Sequence, residues 1–165
     1  MRENGQIFTT DLMIASAIFI SILLMGIVYW NTTTNQISFH EEANERDEAI
    51  RYAANSLVST QGDPSNWEYL IEISEINSIG LVSQKNVLDQ QKIQKLIDFN
   101  ITNYEEIKEL LGITKYNLQI LFTDFNGMVY YEFGLAPGIE NEVSVTRRVA
   151  LLEGKEILIK VKAWK

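Results

Sequence analysis

Few residues of this chain are of types and spacings that could carry out chemistry. It contains no cysteine, which excludes disulfides, thiolate zinc sites and a cysteine nucleophile, and its one histidine, His40, excludes a multi-histidine metal site. Glu41, Glu42, Glu45 and Glu48 carry oxygen ligands of the kind that divalent cations take, but a run of acids on a helix is more often a solvated face. No phosphate-binding glycine loop and no G-x-S-x-G nucleophile motif occurs. We therefore predict no metal site, no cofactor and no enzymatic activity.

The overall composition is that of a small acidic folded protein. Its 165 residues give room for about one domain. The 14 Lys and Arg against 22 Asp and Glu leave a net charge of −8. Nucleic-acid binding is not expected, because it depends on basic side chains that neutralise phosphates. Hydrophobic residues make up 46% of the chain and prolines number 2, a composition that favours a folded chain over a disordered one.

The elements that position these residues begin with an apolar segment. Leu12 to Trp30 contains 19 residues without a charge, and the next charged residue is Glu41. At a rise of about 1.5 Å per residue, a helix of this length spans about 28 Å, which matches the hydrocarbon core of a bilayer. Tyr29 and Trp30 end the segment with the aromatic residues typical of a membrane interface. We predict a transmembrane helix within residues 6–30.

The flanking charges and the end of the apolar run predict the topology. Arg2 precedes the segment, whereas the residues after it are mainly acidic from Glu41 onward. Because basic flanks favour the cytoplasm, we expect a single-pass cell-membrane protein with a cytoplasmic N-terminus and an extracytoplasmic C-terminal domain. The Tyr-Trp-Asn sequence at residues 29–31 lacks the small-x-small pattern of a secretory cleavage site, so the helix is expected to stay attached.

The first eleven residues, MRENGQIFTTD, lie directly ahead of the apolar helix. In this arrangement the chain resembles archaeal type IV pilin-like proteins, the pilin and archaellin superfamily with class III signal peptides. The resemblance implies that a prepilin-type peptidase removes residues 1–5 as a leader by cutting between Gly5 and Gln6. It also implies that Asp11 neutralises the N-terminal amine of a neighbouring subunit in a packed helical core.

A plainer interpretation of the same residues remains open. Gly5 is then a flexible residue of an uncleaved tail. Asp11 is then only an acid in the first turn of the helix, where the helix dipole favours negative charge by about 0.3–1 kcal/mol.

The helical pattern continues beyond the membrane segment. Phe39, Ala43, Ile50, Ala54 and Leu57 recur at spacings near three and four, with acidic residues between them. We predict one long helix over about residues 10–58, with residues 31–60 as its amphipathic continuation. The turn-forming sequence Gln61-Gly62-Asp63-Pro64 ends it.

Residues 61–165 are predicted to form an extracytoplasmic α+β head. Asp89 caps one short helix, and Thr102 with Glu105 forms a capping box for a second that ends at Gly112. Alternating residues and two hairpin signals, Asn126-Gly127 and Glu153-Gly154-Lys155, indicate four strands, over 116–125, 128–133, 143–152 and 156–164. The predicted fold class is α+β: a long N-terminal helix packed on a small antiparallel sheet of about four strands. The second face of the sheet is expected to be polar or covered by the two short helices.

Two sequons are candidate N-glycosylation sites in an extracytoplasmic domain. They are Asn31-Thr32-Thr33 and Asn100-Ile101-Thr102. Asn31 lies close to the membrane, where a transferase has poor access, so Asn100 is the expected acceptor of the two.

Charge is unevenly distributed along the chain. Residues 41–75 contain nine acids and two bases, a balance of −7, and residues 147–165 contain six bases and two acids, a balance of +4. The two segments are expected to pair within one subunit or between subunits of a filament, where complementary charge fixes register. Ordinary surface charge is an equally good interpretation.

These observations predict a pilin-like, membrane-anchored subunit or assembly component of an archaeal type IV pilus-like surface filament, and a minor subunit rather than the bulk one. The expected partners are membrane lipid, other pilin-like subunits contacted through the N-terminal helix, and the prepilin-type peptidase, with no nucleic acid. The alternative is an uncleaved single-pass membrane protein with an extracytoplasmic binding or sensing domain. An extracytoplasmic enzyme is the least favoured class.

Overall fold

The computed structural model describes residues 4–100 and 102–165, with the side chains of 10–33, 41–100 and 102–165. The chain divides into two units, Met1–Glu42 and Ala43–Lys165. Helix α1 spans Asn4–Ser59, a length of 56 residues, so the prediction of one long helix is confirmed. The low helix propensity of residues 31–37 does not end it.

The second unit consists of the end of α1, two further helices and eight strands. Strands β1 and β2 form a separate antiparallel pair, with two short 3-10 turns, Trp67–Tyr69 and Ile73–Glu75, between them. The elements after α1 are β1 (Gly62–Asp63), β2 (Ser78–Ile79), β3 (Val82–Gln84), β4 (Val87–Leu88), α2 (Gln90–Asp98), α3 (Tyr104–Leu110), β5 (Asn117–Thr123), β6 (Val129–Gly134), β7 (Ser144–Leu152) and β8 (Lys155–Trp164).

The main sheet has six strands in the order β3-β4-β7-β8-β5-β6. All neighbours pair antiparallel except β4 and β7, which pair parallel through Val87 and Leu151. The predicted antiparallel sheet of about four strands is therefore wrong: the sheet is mixed and has two more strands. The four predicted segments correspond to β5–β8. The additional strands β3 and β4 contain only three and two residues, too few for an alternating pattern to be recognised.

Alternation of side chains places one face of the sheet in the core. On β8, Ile157, Ile159, Val161 and Ala163 are buried. Because successive residues of a strand point to opposite faces, Leu158, Lys160 and Lys162 lie on the other face. We call the buried face the inner face and the opposite one the outer face.

All three helices pack on the inner face. Buried residues of α1, among them Ile50, Ala53 and Leu57, belong to the same hydrophobic cluster as the inner-face residues of β5 and β8. The ring of Tyr104 on α3 lies 5.9 Å from that of Phe133 on β6. The alternative in which the short helices cover the outer face is therefore wrong. They join α1 on the inner face because their own apolar residues contribute to the single core.

Two hydrogen bonds join α1 to the inner face of β7. The Arg46 Nε donates to Ser144 Oγ at 2.8 Å, and the Arg148 Nε donates to Asn55 Oδ1 at 2.8 Å. Arg46 also forms an ion pair with Glu142 at 3.7 Å. These contacts place Ser144 and Arg148 toward the helix. The residues that alternate with them on β7 therefore point away from it.

One of the two predicted helix caps is confirmed. The Asp89 side chain accepts a hydrogen bond from the backbone N–H of Gln91 at 2.8 Å and so caps α2. The capping box of Thr102 with Glu105 is wrong, because the N-cap of α3 is Asn103. Glu105 is then the second helical residue instead of the third, and its carboxylate pairs with Lys108 at 2.9 Å.

A buried lysine links α2 to the turn after α1. The Lys92 Nζ donates to the carbonyl oxygens of Gln61 at 2.5 Å and Ser65 at 2.6 Å. The side chain of Lys92 is 3% exposed and lies 3.8 Å from the Glu68 carboxylate, which is itself 9% exposed. Burial of an ammonium group is costly unless such partners satisfy it. The contacts of Lys92 therefore hold α2 against the turn in which the chain reverses after α1.

Candidate membrane helix and interaction surfaces

The apolar segment of α1 is Thr10–Thr33, a stretch of 24 residues that contains an 18-residue window with a mean hydropathy of 2.5. Within the described residues, it is the one helix long and apolar enough to cross a membrane by length and composition. None of the segment is buried inside the structure. The chain therefore has one candidate membrane-spanning helix near its N-terminus, and the segment 12–30 expected from the sequence lies within it.

Three hydroxyl groups of this segment donate to the backbone of the helix itself. Ser16 Oγ donates to the carbonyl oxygen of Leu12 at 2.7 Å, and Ser21 Oγ donates to that of Ala17 at 2.8 Å. Thr32 Oγ1 donates in the same way to the carbonyl oxygen of Val28 at 2.9 Å. Unsatisfied polar groups are costly in an apolar medium, so these bonds make the segment compatible with lipid or with neighbouring helices.

The residues predicted for processing and subunit pairing lie on the first part of α1. Gly5 and Gln6 are in its first turns, and their surroundings lie outside the described side chains. The side chain of His40 lies outside them as well. Asp11 is exposed, one residue into the apolar segment.

The four acids of the run, Glu41, Glu42, Glu45 and Glu48, lie on one stretch of α1. Among the residues whose side chains are described, no three carboxylate or histidine groups come close enough together to hold a metal ion. Glu45 instead forms an exposed ion pair with Lys115, and Glu48 is exposed. The run is thus a solvated helix face over these residues.

The head contains a cavity of about 330 Å³ beside the β7–β8 hairpin. The Gln90 Nε2 donates to the Tyr131 hydroxyl at its edge at 3.3 Å. The cavity presents aromatic rings, an ammonium group, carboxylates and an amide, a set suited to a small polar ligand. Its lining residues are Gln90, Tyr130, Tyr131, Leu152, Glu153, Lys155, Glu156 and Ile157. Sequence reasoning missed it, because no local pattern brings the start of α2 to β6 and to the hairpin of β7 and β8.

The outer face of β7 and β8 carries side chains of two kinds, exposed on β7 and half-buried on β8. Arg147 on β7 is the register partner of Lys160 on β8, and Val149 is that of Leu158. Register partners of an antiparallel pair share one face, so two cations lie side by side next to an aliphatic pair. Val145 and Val149 are 42% and 50% exposed. We call Val145, Arg147, Val149, Leu158 and Lys160 the basic face.

The two sequons occupy different environments. Asn31 is exposed and lies within the last turn of the apolar segment. Asn100 is half-buried, and its Oδ1 accepts a hydrogen bond from the backbone N–H of Gly134 at 2.7 Å. The sequence suggested a glycan acceptor at Asn100, whereas the structure gives this side chain a contact of its own within the fold.

Comparison with protein-family models, with curated proteins and with solved structures finds no match for this chain. The class defined by fold and composition is thus an α+β protein with one candidate membrane-spanning helix near its N-terminus.

Proposed function

We propose that the chain is a pilin-like, membrane-anchored subunit or assembly component of an archaeal type IV pilus-like surface filament, serving as a minor subunit without enzymatic activity. The observation that carries the proposal is helix α1, whose segment Thr10–Thr33 is apolar and unburied. Such a surface is too large to face water. It needs either lipid or copies of the same helix around it. A pilin helix lies in lipid before assembly and packs against the helices of other subunits in the filament.

The resemblance of residues 1–11 supplies the steps of assembly. A prepilin-type peptidase cuts between Gly5 and Gln6 on the cytoplasmic side, while the head lies outside the membrane. The helix then leaves the lipid and packs against the helices of other subunits. Asp11, exposed at the start of the apolar segment, neutralises the new N-terminal amine of a neighbour. Pairing between unlike surfaces of identical subunits builds an open helical fibre.

Processing is tested by the mass and N-terminal sequence of the protein isolated from membranes of an archaeal host with a prepilin-type peptidase. The mature wild-type chain is expected to begin at Gln6. The variant Gly5→Leu should retain residues 1–5, whereas Gly26→Leu, a substitution inside the apolar segment, should be processed normally. A wild-type chain that keeps residues 1–5 while a known substrate in the same membranes is cut would overturn the proposal.

Topology is tested with a single introduced cysteine, since the natural chain has none. Lys85 is exposed in the turn between β3 and β4. A membrane-impermeant maleimide should label Lys85→Cys on intact cells as strongly as on permeabilised cells. Labelling that requires permeabilisation would place the head in the cytoplasm and contradict the proposal.

One observation favours a second candidate function, an uncleaved single-pass membrane protein with an extracytoplasmic binding or sensing domain. The cavity of about 330 Å³ has the size and mixed lining of a small-molecule site. The two candidates differ in processing, because only the pilin-like subunit loses residues 1–5. Retention of these residues together with head labelling on intact cells would select the second candidate.

A further inference from the structure

The basic face contains an arrangement that costs stability within an isolated chain. Arg147 and Lys160 are direct register partners, and like charges in that position repel each other. In the part of the chain that the structure describes, neither forms an ion pair. Lys162, the next cation on this face of β8, differs from them because it has a hydrogen-bond partner. Lys162 Nζ donates to Gln119 Oε1 at 2.9 Å, and Gln119 Nε2 donates to Glu132 Oε1 at 2.6 Å.

An acidic surface that includes an exposed aromatic residue lies on the part of α1 that belongs to the same unit. Glu45, Glu48 and Tyr52 are exposed and follow one another at spacings of three and four, which places them on one stripe of the helix. We call these three residues the acidic stripe. Tyr52 is 70% exposed, although Ala53 and Leu57 on the same part of α1 are buried in the core. Glu45 forms an ion pair with Lys115. Glu48, four residues before Tyr52, is the other carboxylate of the stripe and the one nearer to the ring.

The two surfaces match in spacing as well as in charge. Residues i and i+4 on a helix, such as Glu48 and Tyr52, lie about 5–6 Å apart. Residues i and i+2 on a strand, such as Arg147 and Val149, lie about 7 Å apart. An acid and an aromatic ring on one surface can therefore meet a cation and an aliphatic side chain on the other in a single placement.

The two surfaces cannot meet within one chain. The inner-face residues Ser144 and Arg148 bond to α1, so Arg147 and Val149, which alternate with them, point away from the helix. The acidic stripe is likewise on the side of α1 that does not enter the core. Surfaces on opposite sides of one head pair only between different copies, and they do so heterologously.

We propose that the basic face of one copy docks on the acidic stripe of a second copy of this chain, with Arg147 and Lys160 receiving Glu48, and with Val149 and Leu158 receiving the Tyr52 ring. The proposal rests on the proposed function, for which it names the contact between heads. Repeated from copy to copy, this contact produces an open row of heads. Arg147 and Lys160 then have an acidic partner in the assembly, whereas among the described residues of the single chain they form no ion pair.

The absence of natural cysteines allows a direct test in the full chain in its membranes. A chain with both Arg147→Cys and Glu48→Cys should form a disulfide-linked ladder of oligomers under mild oxidation. An equal mixture of the two single variants should stop at dimers, because each chain then has one reactive surface. The matched control combines Glu48→Cys with Lys85→Cys, which replaces an exposed lysine in the turn between β3 and β4. This control should form no ladder.

Charge reversal tests the same contact independently of the disulfide. For this test the reporter pair is Val149→Cys with Tyr52→Cys, which leaves all the charges in place. Adding Arg147→Glu and Lys160→Glu should lower the ladder yield about tenfold or more, because like charges then face each other. Adding Glu48→Lys as well should restore much of the yield. Lys85→Glu serves as the matched control and should change little.

Each outcome has a separate meaning for the docking and for the filament. A chain that is processed at Gly5 but forms no ladder, or a ladder indifferent to charge reversal, overturns the docking and leaves the filament proposal standing. A charge-dependent ladder from a chain that retains residues 1–5 supports the docking and overturns the filament. Efficient linkage between two copies of the single variant Arg147→Cys indicates a two-fold contact and overturns the docking as proposed.

Discussion

The side chain of Asn100 holds the end of strand β6, because its Oδ1 accepts a hydrogen bond from the backbone N–H of Gly134 at 2.7 Å. Gly134 has a φ of 93°, and a Cβ added to it would lie 2.1 Å from the carbonyl oxygen of Leu118. The chain thus needs a glycine at residue 134 and an acceptor at residue 100. Asn100 therefore has a structural role in the fold that does not depend on whether its sequon carries a glycan.

Substitution of Asn100 should affect stability through that hydrogen bond. Asn100→Ala leaves the Gly134 N–H without its acceptor in a half-buried place and should lower the free energy of unfolding by about 1–2 kcal/mol. Asn100→Asp keeps an oxygen acceptor and should cost much less, although it removes the sequon. Thermal unfolding of the full chain in detergent, followed by circular dichroism, measures both.

The control for this prediction is Asn31→Ala in the exposed last turn of the apolar segment, which should leave the unfolding of the head unchanged. Equal destabilisation by Asn100→Ala and Asn100→Asp would contradict the role of the hydrogen bond. If the protein carries a glycan at Asn100, both variants lose the same mass, so mass spectrometry separates the glycan from the fold.

The buried pair of Lys92 with Glu68 gives a second prediction. Lys92→Met removes the donor to two backbone carbonyls and leaves the Glu68 carboxylate, 9% exposed, without its cation. Loss of one partner of a buried pair costs about 3–5 kcal/mol. The fluorescence of Trp67, fully buried next to this segment, can follow denaturant unfolding of the full chain in detergent.

The double variant Lys92→Met with Glu68→Gln tests the coupling between the two charges. It should be less destabilised than the sum of the single variants, because no uncompensated charge is then buried. Strict additivity would show that Lys92 acts through the carbonyl oxygens of Gln61 and Ser65 alone. Lys85→Met, at an exposed turn, is the matched control and should change stability little.

Those parts of the fold whose signal lies in a short stretch of sequence were predictable. Strands β5 to β8 are long enough for alternation to be recognised, and the turns at Asn126-Gly127 and Glu153-Gly154-Lys155 are local signals, although Lys155 is already the first residue of β8. The Asp89 cap of α2 depends on residues two positions apart. The same holds for the apolar segment of α1, which composition alone identifies.

Those parts whose cause lies far along the chain could not be predicted. Val87 and Leu151, which make the sheet mixed, are 64 residues apart, and β4 has too few residues to form a pattern of its own. The burial of Lys92 depends on carbonyl oxygens of a distant turn, whereas a lysine in a sequence is expected at the surface. The basic face depends on register, because only pairing brings Arg147 beside Lys160.

A third prediction concerns pH and the hairpin between β5 and β6. The Asp124 carboxylate accepts a hydrogen bond from the backbone N–H of Met128 at 2.8 Å, and this bond holds the pKa of Asp124 below its usual value of 3.8. A lowered pKa means that the charged form is favoured in the folded chain. The stabilisation is therefore complete above pH 3.8 and is lost as the pH falls through the lower folded pKa.

Substitution and titration check the same linkage. Asp124→Ala should be less stable than wild type at neutral pH, and the difference should shrink as the pH falls below 3.8. An NMR titration of the carboxyl carbon gives the pKa directly. A pKa at or above 3.8 in the folded chain would contradict the role of the Met128 bond, and Glu140→Ala, outside the hairpin, controls for general loss of charge.

The turn between β7 and β8 supports a fourth prediction, that a substitution there stabilises the head. Glu153 and Gly154 both have left-handed backbones, with φ of 52° and 78°, as a type I′ turn requires. A glutamate is strained in that conformation, and asparagine tolerates it better. Glu153→Asn should therefore raise the free energy of unfolding by about 0.5–1 kcal/mol, a gain typical of improved turn chemistry.

The companion variant Gly154→Ala introduces a side chain at positive φ and should destabilise the head by about 1 kcal/mol or more. Both changes are measured as shifts in the thermal midpoint of the full chain in detergent. Glu153 also lines the cavity, so a ligand held by its carboxylate would bind Glu153→Asn less tightly even though the fold is more stable. A Glu153→Asn chain less stable than wild type would show instead that the native carboxylate contributes more to the hairpin than its strained backbone costs.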